Sequence, residues 1–130
     1  MLVLILIATV AGVAVALQGQ FMGAADRSAG TAASVFVTYG TGGVLATLYF
    51  LASGASLRKV PWFSWSAGAL GLVIVAGIGY AAPRLGLART LVITVAAQLL
   101  AATLLEQSID ARRAAGLLLT IAGVWLTVKA

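Results

Sequence analysis

Residues 89–107, RTLVITVAAQLLAATLLEQ, decide the fold, because sixteen uncharged residues lie here between an arginine and a glutamate. Thr90, Thr94 and Gln98 recur at every fourth position, so in a helix they form one polar stripe on an otherwise aliphatic surface. A glutamine amide among acyl chains would lose its water partners, so we expect the stripe to face other helices or a hydrated cavity. As a helix the run is only about 24 Å long, which is shorter than the thickness of the hydrocarbon core of a bilayer. This shortness favours a position in the interior of the protein.

The composition of the whole chain places it in a membrane. Of 130 residues 62% are hydrophobic, mean hydropathy is +1.12, and only eight basic and three acidic residues occur. A soluble domain with this composition would have too little polar surface to cover itself. The absence of cysteine and histidine excludes disulfides, thiolate nucleophiles, imidazole bases and Cys/His metal sites, and we expect no metal and no cofactor.

The charged residues are scattered between the apolar segments. The net charge is +5, but the basic residues occur singly or in pairs, where they anchor helix ends at lipid headgroups. They do not indicate nucleic-acid binding. No nucleophile, base and orienting group occur together, so an enzyme is not expected.

The apolar segments predict an all-α integral membrane protein with one membrane domain, 1–130. Breaks in hydropathy divide it into five spans, at about 1–22, 31–51, 63–82, 90–106 and 114–128. We interpret Asp26 and Arg27 as a solvated turn with an adjacent ion pair. Glu106 is interpreted as a helix-end charge, and the segment from Pro83 to Gly86 is predicted to end the third helix.

Polar side chains inside the spans are the candidates for solute binding. Gln18 lies late in the first span, and Ser34 and Thr38 share one face of the second. Hydroxyls are a weak indication of a cavity, since they also bond back to their own helix. Together with the fourth-span stripe, the candidates are Gln18, Ser34, Thr38, Thr94 and Gln98.

Small residues mark faces on which helices can pair closely. In the last span Gly116, Thr120 and Gly123 share one face, which we predict to be a dimer interface. Glycines in the third span form a second such face, which we assign to packing.

Several motifs resemble a known family. The last span, with Gly116-Leu-Leu-Leu-Thr-Ile-Ala-Gly-Val124, is similar to the last helix of the drug/metabolite transporter superfamily, in which small multidrug resistance proteins dimerise through a Gly-x6-Gly face. Gln18, the glycine-rich helix 65–80, the Pro-Arg-Leu-Gly segment and Gln98-Leu-Leu resemble the compact five-span YdcZ-like family of that superfamily. The resemblance implies a small transporter of the bacterial inner membrane.

The chain departs from the family pattern at two points. Met22 stands where the family is expected to carry an asparagine, and no carboxylate is predicted inside a span. Small multidrug resistance proteins exchange protons through a glutamate in the first helix, which has no counterpart here. A proton-coupled cation antiporter of that type is therefore not indicated.

Three functions remain open from the sequence: an alternating-access transporter of a small solute, an ion channel, and a non-transporting membrane partner subunit. We favour the transporter. With five spans, four basic residues lie on each side of the membrane, so the charge bias that orients a chain is close to zero. This balance predicts a dual-topology, antiparallel homodimer, with the bilayer, a second copy and a small solute as partners.

Overall fold

The computed structural model describes residues 1–106 and 110–129, so Gln107 lies outside the described residues. The described chain forms five helices: α1 (Leu2–Ala29), α2 (Thr31–Ser53), α3 (Ser66–Leu85), α4 (Leu87–Leu105) and α5 (Ala111–Lys129). Each is long and apolar enough to cross a membrane, α3 together with the short 3₁₀ turn Trp62–Trp65 that precedes it. The prediction of an all-α protein with five spans is confirmed.

Two helices run further than the sequence predicted. α1 continues through Asp26 and Arg27, because the first residue that stops it is Gly30, with a φ of 85°. α3 contains Pro83 and ends before Gly86, with a φ of 90°. The predicted turn at 26–27 is therefore wrong, whereas α3 ends at Leu85, within the segment from Pro83 to Gly86 that was predicted to end it. Neither charged residue breaks a helix, and a proline in the last turn removes only one helical hydrogen bond.

A single glycine joins α1 to α2 and another joins α3 to α4. We call α1, Gly30 and α2 hairpin one, and α3, Gly86 and α4 hairpin two. Both glycines have positive φ, a conformation that side chains with a Cβ rarely adopt, so a one-residue connection requires glycine here. The hairpins pack side by side, with α3 against α1 and α2 and with α1 also touching α4. Among the described helices, α5 packs only on α4.

The buried residues gather at one end of the two hairpins, beside the connecting glycines. They are Gly19, Met22, Gly23, Asp26, Ser34, Ile78, Gly79, Ala82 and Thr90. In the described chain no residue of 1–18, 35–77 or 91–106 is buried. We call the glycine end the packed end and the opposite end the open end.

Close helix contact at the packed end depends on small residues. A Cβ at Gly79 would lie 3.1 Å from Cε of Met22 and 3.7 Å from Oγ of Ser34, and a Cβ at Gly19 would lie 2.9 Å from Cδ1 of Leu87. A Cβ at Gly79 would therefore require the end of the Met22 side chain to shift by a few tenths of an ångström, whereas Ser34 would lie at ordinary van der Waals distance. The packing surface predicted for the glycines of the third span is used at this residue.

Candidate functional site

The polar stripe on α4 faces inward only near the packed end. Thr90 is buried and donates to the carbonyl of Gly86 at 3.0 Å, and the half-buried Thr94 donates to the carbonyl of Thr90 at 2.8 Å. Gln98, one turn further, is exposed, and its side chain makes no hydrogen bond within the described residues. The expectation that the whole stripe turns inward is met at Thr90 and in part at Thr94, and Gln98 lies open on the surface of the single chain.

A groove of about 470 Å³ lies between α1 and α2. We call it the hairpin groove. Its lining includes Leu17, Gln18, Met22, Ser34, Thr38 and Gly42. A volume of this size is in the range of small-molecule sites.

A second groove, of about 380 Å³, extends from α1 and α2 to α3. We call it the three-helix groove. It shares Gln18, Thr38 and Gly42 with the hairpin groove, and Tyr39 and Val75 also line it. Gln18 and Thr38 therefore stand between two adjoining spaces.

The side chains of these grooves differ in how far their polar groups are already used. Ser34 is fully buried, and its hydroxyl donates to the carbonyl of Met22 at 2.9 Å. This hydrogen bond joins α2 to α1 and uses the only proton of the hydroxyl. Thr38 donates to the carbonyl of Ser34 at 2.8 Å, which leaves its oxygen as an acceptor. The amide of Gln18 has no hydrogen-bond partner in the described part of the chain, and the residue is exposed to both grooves. It is the group best placed to bond a solute.

Three of the five predicted solute-binding residues come together. Gln18, Ser34 and Thr38 line the hairpin groove, whereas Thr94 and Gln98 lie on α4, which lines neither groove. Sequence spacing could not show this division, because the two sets are in different hairpins. Their roles in binding stay predictions.

The electrostatic character of the grooves is neutral. None of the described residues that line them is charged, and the walls other than the amide, hydroxyl and phenol groups are aliphatic, aromatic or glycine. Within the described residues, no group of three or more carboxylates lies close enough to hold a metal ion. The grooves offer hydrogen bonds and apolar contact to a solute, without a charge to pair with.

One polar contact of the packed end was missed by the sequence analysis. Asp26 is buried and pairs with Arg84, whose Nη1 lies 3.1 Å from Oδ2 of the carboxylate. The hydroxyl of Thr31 donates to the other carboxylate oxygen. The predicted adjacent pair with Arg27 and the solvated turn are therefore wrong. The available signal was the face formed with Met22 and Gly19, which continues to Asp26 at helical spacing.

The face predicted for dimerisation borders grooves between α4 and α5. Gly116 and Thr120 line one of about 370 Å³, whose rim carries the ion pair between Arg113 and Glu106 at 3.0 Å. Thr120 and Gly123 line another of about 360 Å³. A Cβ at Gly116 or Gly123 would meet no atom within 4 Å, so packing among the described residues does not require glycine at either position. Its use as a dimer interface stays a prediction.

The five apolar helices define a multi-pass α-helical membrane protein. A family model described as "Putative inner membrane exporter, YdcZ" matches residues 3–126. The chain therefore belongs to the YdcZ family, which is related to the drug/metabolite transporter superfamily, and it is a multi-pass inner membrane protein. Comparison with curated proteins and with solved structures found no significant match.

Proposed function

We propose that the chain transports a small uncharged solute by alternating access, and that the solute binds at Gln18 between the hairpin groove and the three-helix groove. The assignment rests on Gln18. Its side-chain amide has no hydrogen-bond partner among the described residues and lies in a groove with apolar walls. Thr38 adds an acceptor, and Ser34, whose buried hydroxyl already bonds the carbonyl of Met22, closes the deep end of the same groove. Such a site favours a solute with an amide or hydroxyl group on an apolar body.

The arrangement of the helices supports transport over a purely structural role. All the buried residues lie at the glycine end of the hairpins, and none of the described residues toward the other end is buried in the single chain, where α2 and α3 are joined by the hydrogen bond from Tyr39 to the carbonyl of Gly68. A transporter in one of its two access states has this asymmetry. Family membership supports a membrane transporter independently of the grooves.

The transport test compares two glutamines on α1. Purified protein is first screened by thermal shift against small amides, amines and organic acids, and uptake of the most stabilising compound is then measured in proteoliposomes. We expect saturable uptake, and we expect Gln18→Leu to lower its rate at subsaturating solute by about tenfold, the loss of one well-made hydrogen bond. Gln20→Leu is the matched control, because Gln20 is also an exposed amide on α1 but lines neither groove.

The outcomes separate the candidate functions. Flux that rises linearly with solute or ion concentration indicates a channel instead of a transporter. No flux of any screened compound with a correctly folded protein indicates a partner subunit. Equal losses in Gln18→Leu and Gln20→Leu place the binding site elsewhere.

We further propose that the working unit is an antiparallel homodimer that meets through Gly116, Thr120 and Gly123. The equal numbers of basic residues on the two sides of the membrane support insertion in both orientations. Two oppositely inserted copies provide the inverted repeat from which transporters build two access states. The open space beside Gly116 and Gly123 would allow a second α5 to approach.

The orientation test fuses the C-terminus separately to a reporter active only in the cytoplasm and to one active only outside it. We expect both fusions to be active, and one lysine added near either end to shift their ratio, since the native bias is close to zero. A single active reporter, unmoved by the added lysine, contradicts the antiparallel dimer. Solute transport through one orientation would remain measurable in that case.

A further inference from the structure

The ion pair between Asp26 and Arg84 ties the two hairpins together at the packed end. Asp26 is on the last turn of α1 and Arg84 on the last turn of α3, and their side chains are 5% and 48% exposed. Thr31, at the start of α2, donates to the carboxylate as well. Three helix ends therefore meet at one buried carboxylate. The other ion pair in the described chain, Arg113 with Glu106, joins α4 to α5 and lies outside this cluster.

The ion pair lies at the closed end of the hairpin groove. Met22, Ala25 and Ser34 form that end of the groove, and Asp26 follows Ala25 directly on α1. On the opposite side, Pro83, next to Arg84, would lie 3.7 Å from a Cβ at Gly23. Separation of α1 from α3 here would open the three-helix groove, which lies between α1, α2 and α3, toward the packed end and would require Asp26 to part from Arg84.

Both partners keep a local contact if the pair opens. Arg84 also donates to the carbonyl of Tyr80 at 2.6 Å, and its guanidinium lies 3.7 Å from the centroid of the Tyr80 ring. These two contacts are within α3 and do not depend on hairpin one. Asp26 keeps the hydroxyl of Thr31, its neighbour across Gly30 in the same hairpin. An isolated buried charge would be very costly, and these contacts reduce that cost on both sides of the break.

We propose that Asp26 and Arg84 form a latch that closes the packed end in the state described here and releases when α1 and α3 separate to open the three-helix groove at that end. This inference rests on the alternating-access function proposed above and assigns the closing contact of that cycle. Asp26 and Arg84 are positioning residues, since neither lines a groove.

The experiment measures access to the packed end without a solute. The chain has no cysteine, so Ala82→Cys, at a buried position of α3 that is 6% exposed, provides one reporter thiol. Its labelling rate with a hydrophilic maleimide is measured in lipid nanodiscs, where both membrane faces are accessible. Asp26→Asn and Arg84→Gln, each added to Ala82→Cys, should raise that rate roughly tenfold, because each removes one charge-assisted contact of the closed state.

Three further variants make the result specific. Glu106→Gln breaks the ion pair between α4 and α5 and should leave the labelling rate unchanged. The double variant of Asp26→Asn with Arg84→Gln should label no faster than the faster single variant, because the two residues act as one contact. Thr31→Val removes only the hydrogen bond from the Thr31 hydroxyl to Asp26 and keeps the ion pair. It should raise the labelling rate a few-fold, and it tests the latch if a charge variant does not fold.

Unchanged labelling in the folded latch variants overturns the proposal, and so does an equal rise in Glu106→Gln, which would show general loosening. Faster labelling in the latch variants alone supports it. If labelling responds as expected while proteoliposomes carry no solute, the latch exists and the transport function is wrong. If solute is transported while labelling ignores the latch variants, transport stands and the latch is wrong.

Discussion

Hairpin one and hairpin two are each a pair of helices joined by one glycine, and positions counted from the two glycines correspond. Gly30 has φ 85° and ψ 164°, and Gly86 has φ 90° and ψ 143°. Eight of the nine buried residues fall in register: Met22 matches Ile78, Gly23 matches Gly79, Asp26 matches Ala82, and Ser34 matches Thr90. The next turn carries a further pair of threonines, Thr38 and Thr94. The same backbone geometry therefore occurs in both hairpins at the packed end.

The chemistry at matching positions differs. Hairpin one has the buried Asp26 where hairpin two has Ala82, and it has Gln18 where hairpin two has Ile74. The hydroxyl of Ser34 donates to a carbonyl of another helix, that of Met22 in α1. The hydroxyl of Thr90 donates instead to the carbonyl of Gly86, which directly precedes its own helix α4.

The two hairpins share a backbone geometry but contribute different side chains. Hairpin one supplies the polar groups of the grooves and the acid of the latch. Hairpin two supplies the latch arginine and the helix on which α5 packs, and both hairpins supply glycines that allow close packing. Substitutions at matching positions separate what the shared backbone requires from what each hairpin adds.

The largest effect on stability is expected where the hairpins are most alike. Gly30→Val and Gly86→Val each force a β-branched residue into a backbone region that is nearly exclusive to glycine, at a cost of about 1–3 kcal/mol. We expect both variants to unfold at clearly lower SDS fractions than the native chain, followed by circular dichroism. Gly12→Ala is the control, because Gly12 is helical, a Cβ at this position would meet no atom within 4 Å, and alanine favours a helix. Destabilisation by only one of the two valines would show that the connections are not equivalent.

A smaller effect should distinguish the hydroxyls four residues after each glycine. Ser34→Ala removes a bond between α2 and α1, and such interhelical bonds in membranes contribute about 0.6 kcal/mol. Thr90→Val keeps the side-chain shape and removes only a bond to the carbonyl of Gly86, so the free energy of unfolding should stay within about 0.3 kcal/mol of the native value. The same SDS titration measures both, and a larger loss from Thr90→Val than from Ser34→Ala would reverse the assignment.

The spans could be predicted from the sequence because long apolar runs alone identify them. The inward face of α2 was also predictable, since Ser34 and Thr38 share a face at helical spacing. The α4 stripe was harder to place. From Thr90 to Gln98 it extends about 12 Å along the helix, so its two ends meet different surroundings that spacing cannot describe.

The latch could not be predicted, since its partners lie in different hairpins. Asp26 has Arg27 as a neighbour in sequence, which offered a local explanation for both charges, and the true partner depends on how α3 packs on α1. The extent of α1 follows from the fact that charged residues do not end a helix; α1 continues through Asp26 and Arg27 and ends at Gly30, where φ is 85°.

A small effect on stability, and the sharpest test of the binding site, is expected at Thr38 and Thr94. Both donate to the carbonyl four residues earlier in their own helix at 2.8 Å, so valine at either position should change the free energy of unfolding by less than about 0.5 kcal/mol. Only Thr38 lines the two grooves that contain Gln18. Thr38→Val should therefore raise the half-saturating solute concentration in proteoliposomes by roughly threefold to tenfold, the loss of one neutral hydrogen bond, while Thr94→Val leaves it unchanged. An effect of Thr94→Val as large as that of Thr38→Val would mean that α4 also contacts the solute. The sequence analysis predicted such a contact, but α4 lines neither groove in the structure described here. No effect of either variant would restrict solute recognition to the amide of Gln18 and to apolar contact.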